Sequence, residues 1–188
     1  MNDRAGLLLS ASLLMLAAFM LYRNRAEIAH GSAALVDSGE SLINQGVEYM
    51  FKLTRGERNN NPGNIRKSAI FWRGETSGSD NGFETFTGAE DGIRAIAVLL
   101  QNYQKKYGLN TVRGLINRYA PPTVNGKFEN DTGAYINAVA GALNVSPDAP
   151  LNIADPAVLL PLVTAIIKHE NGRVLYDQAL IASAVGVA

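Results

Sequence analysis

The chain has no cysteine. Disulfide-stapled scaffolds and thiolate metal centres are therefore excluded. Histidine is nearly as scarce. His30 and His169 are the only two and stand far apart, so no zinc ligand set is apparent and no metal is expected. Neither sign of charge is in excess, because 17 Lys and Arg offset 17 Asp and Glu. That balance argues against a nucleic-acid partner held by phosphate contacts. There is no Walker loop, dinucleotide fingerprint, or Ser or Cys nucleophile elbow. No cofactor is expected, and acid–base chemistry falls to carboxylates. Internal repeats and low-complexity tracts are also missing. The 188 residues suffice for one domain with a real core.

One long apolar run is present, Ala5 to Tyr22. It is uncharged and about long enough to cross a bilayer as a helix. Arg4 precedes it, and Arg23 and Arg25 follow directly, where a cleavable signal peptide would need small residues. A single-pass anchor over residues 1–25 is expected, with the signal peptide as the competing reading. Positive charge is slightly greater after the run, a bias that would put the rest of the chain on the cytoplasmic side. Residues 26–53 read as a stalk, with Ala26 to Leu35 continuing as helix and Ser41 to Met50 forming a short amphipathic one.

The remainder, residues 54–188, is organised around Arg55-Gly-Glu-Arg-Asn-Asn-Asn-Pro-Gly-Asn-Ile-Arg66. Four asparagines and a Pro-Gly pair fit neither a helix interior nor a plain strand. Pro62-Gly63 is a type II turn signal. The amides of Asn59, Asn60, Asn61 and Asn64 can hold neighbouring backbone or face outward. Arg55, Arg58 and Arg66 bracket them with fixed positive charge. Phe71, Trp72, Phe83 and Phe86 follow, and the whole predicts a small β-lobe carrying a polar site. A plain surface turn is the alternative.

Helical periodicity governs what comes next. Ile93, Ile96, Leu100, Tyr103 and Tyr107 mark one face of a helix over Ala89 to Tyr107, with Thr87 and Glu90 at capping-box spacing and Gly108 as the stop. Thr111 caps a second helix ending at Pro121-Pro122, and Asn130 or Asp131 opens a third. Asp155-Pro156 opens a fourth that reaches His169-Glu170 and stops at Asn171-Gly172. Pro161 either bends this helix or marks its true start. An apolar helix over about Tyr176 to Val185 closes the series. The fold class expected is mainly α, with a small β component.

Glu170 stands out among the carboxylates. It ends an apolar helix, where burial and the helix C-terminus both favour its neutral form, as a general acid requires. An ordinary exposed helix-end residue is the alternative. Glu57, inside the polar loop, is a second candidate, unless it is spent on a salt bridge with Arg55 or Arg58. Tyr119 serves either the core or a site. Glu90 reads chiefly as a cap partner.

The Arg55–Arg66 string resembles the opening motif of a family of phage and prophage structural proteins associated with peptidoglycan-degrading virion enzymes. The resemblance continues through Phe83-x-x-Phe86, Gly92-Ile-Arg-Ala95, Arg118-Tyr-Ala-Pro-Pro122, Tyr135-Ile136 and Ile166-Ile-Lys-His-Glu-Asn-Gly172. A more distant likeness is to the lysozyme-like superfamily, including lytic transglycosylases. There a catalytic Glu ends an apolar helix, and a loop similar to Asn60–Arg66 lines the sugar cleft further on in the chain. Here the matching helix lies after the loop, so the resemblance implies a circularly permuted lysozyme-like domain with Glu170 against the Asn59–Asn64 turn. It implies Glu170, or Glu57, as the acid. It further implies Asn59, Asn60, Asn61 and Asn64 as glycan-binding residues, with Trp72 or Tyr119 stacking on a sugar. With no second carboxylate evident, a lytic transglycosylase is expected. Its partners would be peptidoglycan strands, a bilayer through residues 5–22, and other virion proteins. A non-catalytic structural or glycan-binding role on the same fold is the alternative.

Overall fold

The computed structural model describes residues 42–44 and 53–186. The expected anchor over residues 5–22 and the helical continuation over residues 26–35 lie outside them. Among the described residues no helix is long and apolar enough to cross a membrane. The chain divides into two compact units, Met1–Leu53 and Thr54–Ala188. In the first, residues 42–44 are helical.

The second unit is mainly helical. In chain order it contains α1 (Arg55–Arg58), α2 (Ala89–Tyr107), α3 (Val112–Tyr119), β1 (Thr123–Val124), β2 (Lys127–Phe128), α4 (Thr132–Leu143), α5 (Pro156–Asn171) and α6 (Gln178–Val185). The long central helix α2 packs on α3, α5 and α6, while α4 lies against α3 and α5. Ile93, Ile96 and Leu100 of α2 have no exposed surface, nor do Leu162, Val163, Ile166 and Ile167 of α5. Each such side chain contributes about 1.5–3 kcal/mol on burial, so this helical interior dominates the stability.

Helix ends follow local chemistry. The side chains of Thr111, Asp131, Asp155 and Asp177 each accept a hydrogen bond from a first-turn N–H. Gly108 and Gly172 end α2 and α5 in the left-handed region that glycine tolerates. Pro161 lies inside α5, which starts at Pro156. The final helix begins at Gln178 and not near Tyr176, because Asp177 supplies the cap.

Two expectations need correction. Thr87 and Glu90 form no capping box. Gly88 is the N-cap of α2 without a side-chain bond, and the Thr87 hydroxyl instead donates to Asp91. A capping box is formed instead by Thr54 and Glu57, which open α1. The expected β-lobe over residues 54–86 has only isolated bridges, Arg66 with Phe83, Glu75 with Phe86 and Asp80 with Phe83. The antiparallel ladder lies later, pairing Thr123 with Phe128 and Val124 with Lys127. Its turn, Asn125-Gly126, has φ of 51° and 77°, the primed geometry that Asn-Gly favours in two-residue hairpins.

Side chains replace a ladder in the 54–86 region. The Lys67 ammonium lies 3.3 Å from Glu75 Oε1 and 3.5 Å from both Glu84 Oε2 and the Gly78 carbonyl. Glu84 is fully buried and also accepts from the Ser68 N–H at 3.0 Å.

Candidate active site

The asparagine turn closes through the Asn64 N–H, which donates to the Asn61 carbonyl at 2.9 Å. It is not a type II turn. Gly63 stays out of the left-handed region, which Asn60 and Asn64 occupy instead, with φ of 50° and 47°. Gly63 is required for a different reason. A Cβ there would collide with the Tyr119 hydroxyl and lie 2.6 Å from Ile96 Cγ1. The turn thus rests directly on α2 and α3, and the Tyr119 hydroxyl donates to the Gly63 carbonyl at 2.6 Å. Gly92 makes room in the same way for the Asn60 carbonyl.

Most of the asparagine amides hold this loop together. Asn61 is fully buried. It donates to the carbonyls of Ile65 and Glu84 at 2.9 Å each and accepts from the Ile65 N–H at 2.9 Å. Asn60 donates to the Phe86 carbonyl at 3.0 Å and Asn59 to Asp80 at 3.2 Å. Asn64 instead reaches out of the loop to the end of α5, donating to Glu170 Oε2 at 3.0 Å. A glycine would satisfy φ of 47° at this position more easily, but it would carry no amide to Glu170.

The neighbouring Asn171 locks the end of α5 to the loop. It donates to the carbonyls of Pro62 and Ile167 at 2.8 and 2.9 Å, and accepts from the Thr54 hydroxyl at 2.8 Å. Glu170 is thereby fixed in place. Burial raises its pKa above the ordinary carboxylate value. The Asn64 amide, the nearby Tyr135 hydroxyl and the positive charge of Arg55 oppose that rise without reversing it. The buried Tyr135 hydroxyl forms no hydrogen bond of normal length, and neither does Asn64 Oδ1. His169 stacks on the Tyr135 ring, with centroids 3.6 Å apart and planes 18° from parallel, and partial burial lowers its pKa. Tyr119 and Tyr135 are held well above the usual phenol value by burial and then by the Glu170 charge.

The structure therefore brings Glu170, Asn64 and Tyr119 into one neighbourhood. Glu57 stands apart in role. It accepts from the Thr54 N–H at 2.8 Å and from Arg173 at 2.7 Å. Burial pushes its pKa up, but these bonds outweigh burial and leave it below the ordinary value, a poor match for an acid. Its ion-pair partner is Arg173, not Arg55 or Arg58. Trp72 is buried, with 7% of its surface exposed, so its ring offers no face for a sugar, whereas its neighbour Phe71 is 96% exposed. Tyr135, absent from the residues the sequence singled out for the site, brings its polar end there. Its place one turn into α4, directly after small residues, was the available signal.

Along the other side of the turn, the guanidinium of Arg55 lies 4.2 Å from the centroid of the Phe83 ring and that of Arg66 lies 4.9 Å from it. Arg66 pairs with Glu129 beside the β1–β2 hairpin. Among the described residues no group of acidic, histidine or cysteine side chains is arranged to hold a metal.

Fold and geometry define a small helical domain whose candidate site is a single desolvated carboxylate at a helix end, facing an asparagine turn. No family model matches the chain. Protein P5 of Pseudoalteromonas phage PM2 is 42% identical to it over 123 residues, covering 63% of this chain and 71% of that protein. The chain belongs to the family of this phage protein.

Proposed function

We propose that the chain is a peptidoglycan-cleaving component of a phage virion, a lytic transglycosylase on a permuted lysozyme-like domain. In this reading residues 1–25 anchor it in a bilayer, residues 26–53 form a stalk, and residues 54–188 open the cell wall locally. The supporting observation is the contact of Glu170 with Asn64 at the buried end of α5. Burial raises its pKa, the direction that a proton donor requires.

Glu170 would give its proton to the glycosidic oxygen, and the bond from that oxygen to the anomeric carbon would break. The resulting carboxylate would then take the proton from the C6 hydroxyl of the same muramic residue. That oxygen bonds to the anomeric carbon and closes an anhydro ring, so one carboxylate serves as acid and then base. The Asn64 amide and the Tyr135 hydroxyl, enclosed beside Glu170, would position its carboxyl for both transfers.

Mass spectrometry of peptidoglycan digested by the chain tests this. Anhydromuropeptides are expected, and they should vanish with Glu170→Gln while the fold is retained. Reducing-end products would replace the transglycosylase reading with hydrolysis, which needs a second carboxylate. No products at all from folded protein would favour a glycan-binding or structural virion role. That second reading draws support from the internal use of Asn59, Asn60 and Asn61 and from the burial of Trp72.

A further inference from the structure

Two guanidinium groups sharing one phenyl ring repel each other, and the ring's quadrupole offsets only part of that cost. Arg66 has Glu129 as its counter-ion. Arg55 is exposed, and no carboxylate forms an ion pair with it among the described residues. It is nevertheless close enough for its charge to act on Glu170. Packing on Phe83 restrains the group while leaving its planar fork of donors open to a ligand. Such a fork matches a carboxylate with two parallel hydrogen bonds.

We propose that Arg55, laid on the Phe83 ring beside Arg66, docks a carboxylate carried by the glycan strand, so that this site selects an acidic glycan over a neutral one. The proposal rests on the glycan reading above and adds a substrate class to it. The carboxylate could come from the lactyl ether of the sugar or from an attached peptide, and Arg55 would meet the same chemistry in either case.

Docking has a consequence for the acid. The groups facing Glu170 are Asn64 from the turn, Tyr119 from α3, Tyr135 from α4 and Arg55 from α1. Arg55 is the cation among them, and it works against protonation. A bound carboxylate would neutralise it and place negative charge nearby, and both effects favour the protonated acid. The correct substrate would thus help to arm the group that cleaves it.

The test uses binding, so that it does not depend on cleavage. Titration calorimetry compares the full chain carrying Glu170→Gln, with and without Arg55→Gln, on three probes: glycan strands bearing peptides, strands stripped to the lactyl carboxylate, and neutral chitohexaose. Arg55 is expected to favour the acidic strands by about tenfold at low salt, a preference that shrinks as salt rises. Arg55→Gln should bring the ratio of acidic to neutral affinity close to one. A preference for stripped strands as well as peptide-bearing ones assigns the contact to the lactyl group, and a preference for peptide-bearing strands alone assigns it to the peptide. Equal affinity for all three probes before Arg55 is changed, an unaltered ratio afterwards, or no binding of any probe would overturn the proposal. Failure of the glycosidase reading registers separately, as an absence of products from peptidoglycan incubated with the unsubstituted chain.

Discussion

The 54–86 region and the helical body from Ala89 to Val185 solve the same problem differently. The helical body satisfies its backbone by repetition and buries an apolar stripe on each helix. The loop region has almost no ladder, so amide side chains and one ammonium group pair with backbone and carboxylates. Loss of one apolar side chain leaves a cavity whose cost the neighbours share. Loss of one loop amide leaves several backbone groups unpaired at once, with no alternative partners.

Substitutions that delete comparable volume in each region break or sharpen that contrast. The largest effect is expected for Asn61→Ala, which strips the partners of Ile65 and Glu84. It should cost about 3–5 kcal/mol, comparable to the ~2–5 kcal/mol of a buried leucine truncation such as Leu100→Ala. Urea melts of the two variants compare them, and a loss below about 1 kcal/mol for Asn61→Ala would refute the contrast. Gly92→Ala comes next. Its methyl group would meet the Asn60 carbonyl, and overpacking of this kind costs about 1–3 kcal/mol. Removing caps sets the two regions side by side at a smaller scale. Thr54→Ala loses both the capping box and the bond to Asn171, and should cost about 1–2 kcal/mol, against ~1 kcal/mol for Thr111→Ala in the helical body. Equal losses would mean that the Thr54–Asn171 bond adds nothing. The smallest effect belongs to Arg113→Ala. Its ion pair with Asp148 is exposed on both sides, and thermal melts should not resolve the change.

Glu170 supplies a prediction of a different kind. Its folded-state pKa lies above the unfolded value because burial penalises the anion. Its favourable contribution is therefore complete below the unfolded pKa and is lost as pH rises through the folded one. Glu170→Gln removes that titration, so the variant should gain stability relative to the parent as pH rises above the ordinary glutamate pKa. Parallel melting curves across that rise would contradict the assignment.

The helical body was legible in the sequence because its rules are local. Thr111, Asp131 and Asp155 announced helix starts, and Gly108 and Gly172 announced stops. The loop was legible as a polar feature but not in its internal wiring. Nothing in the string Asn59-Asn-Asn-Pro-Gly-Asn64 says that Asn61 points inward and Asn64 toward α5, because those directions depend on contacts with Ile65, Glu84 and Glu170. Gly63 misled for a related reason: a glycine needed for close approach reads the same as one needed for positive φ. Val124-Asn-Gly-Lys127 carried a hairpin signal that was passed over, because its flanking strands are only two residues each.

The clasp between Asn171 and Pro62 joins positions 109 residues apart, and this separation sets an order of events. On the ribosome the asparagine turn emerges long before α5 exists. Until the last quarter of the chain has been made, Asn64 has no Glu170 to face. This long loop closure is also one that assembles the candidate site. A nascent or prematurely terminated chain therefore lacks the site altogether, and this domain acquires its chemistry only when folding is nearly finished.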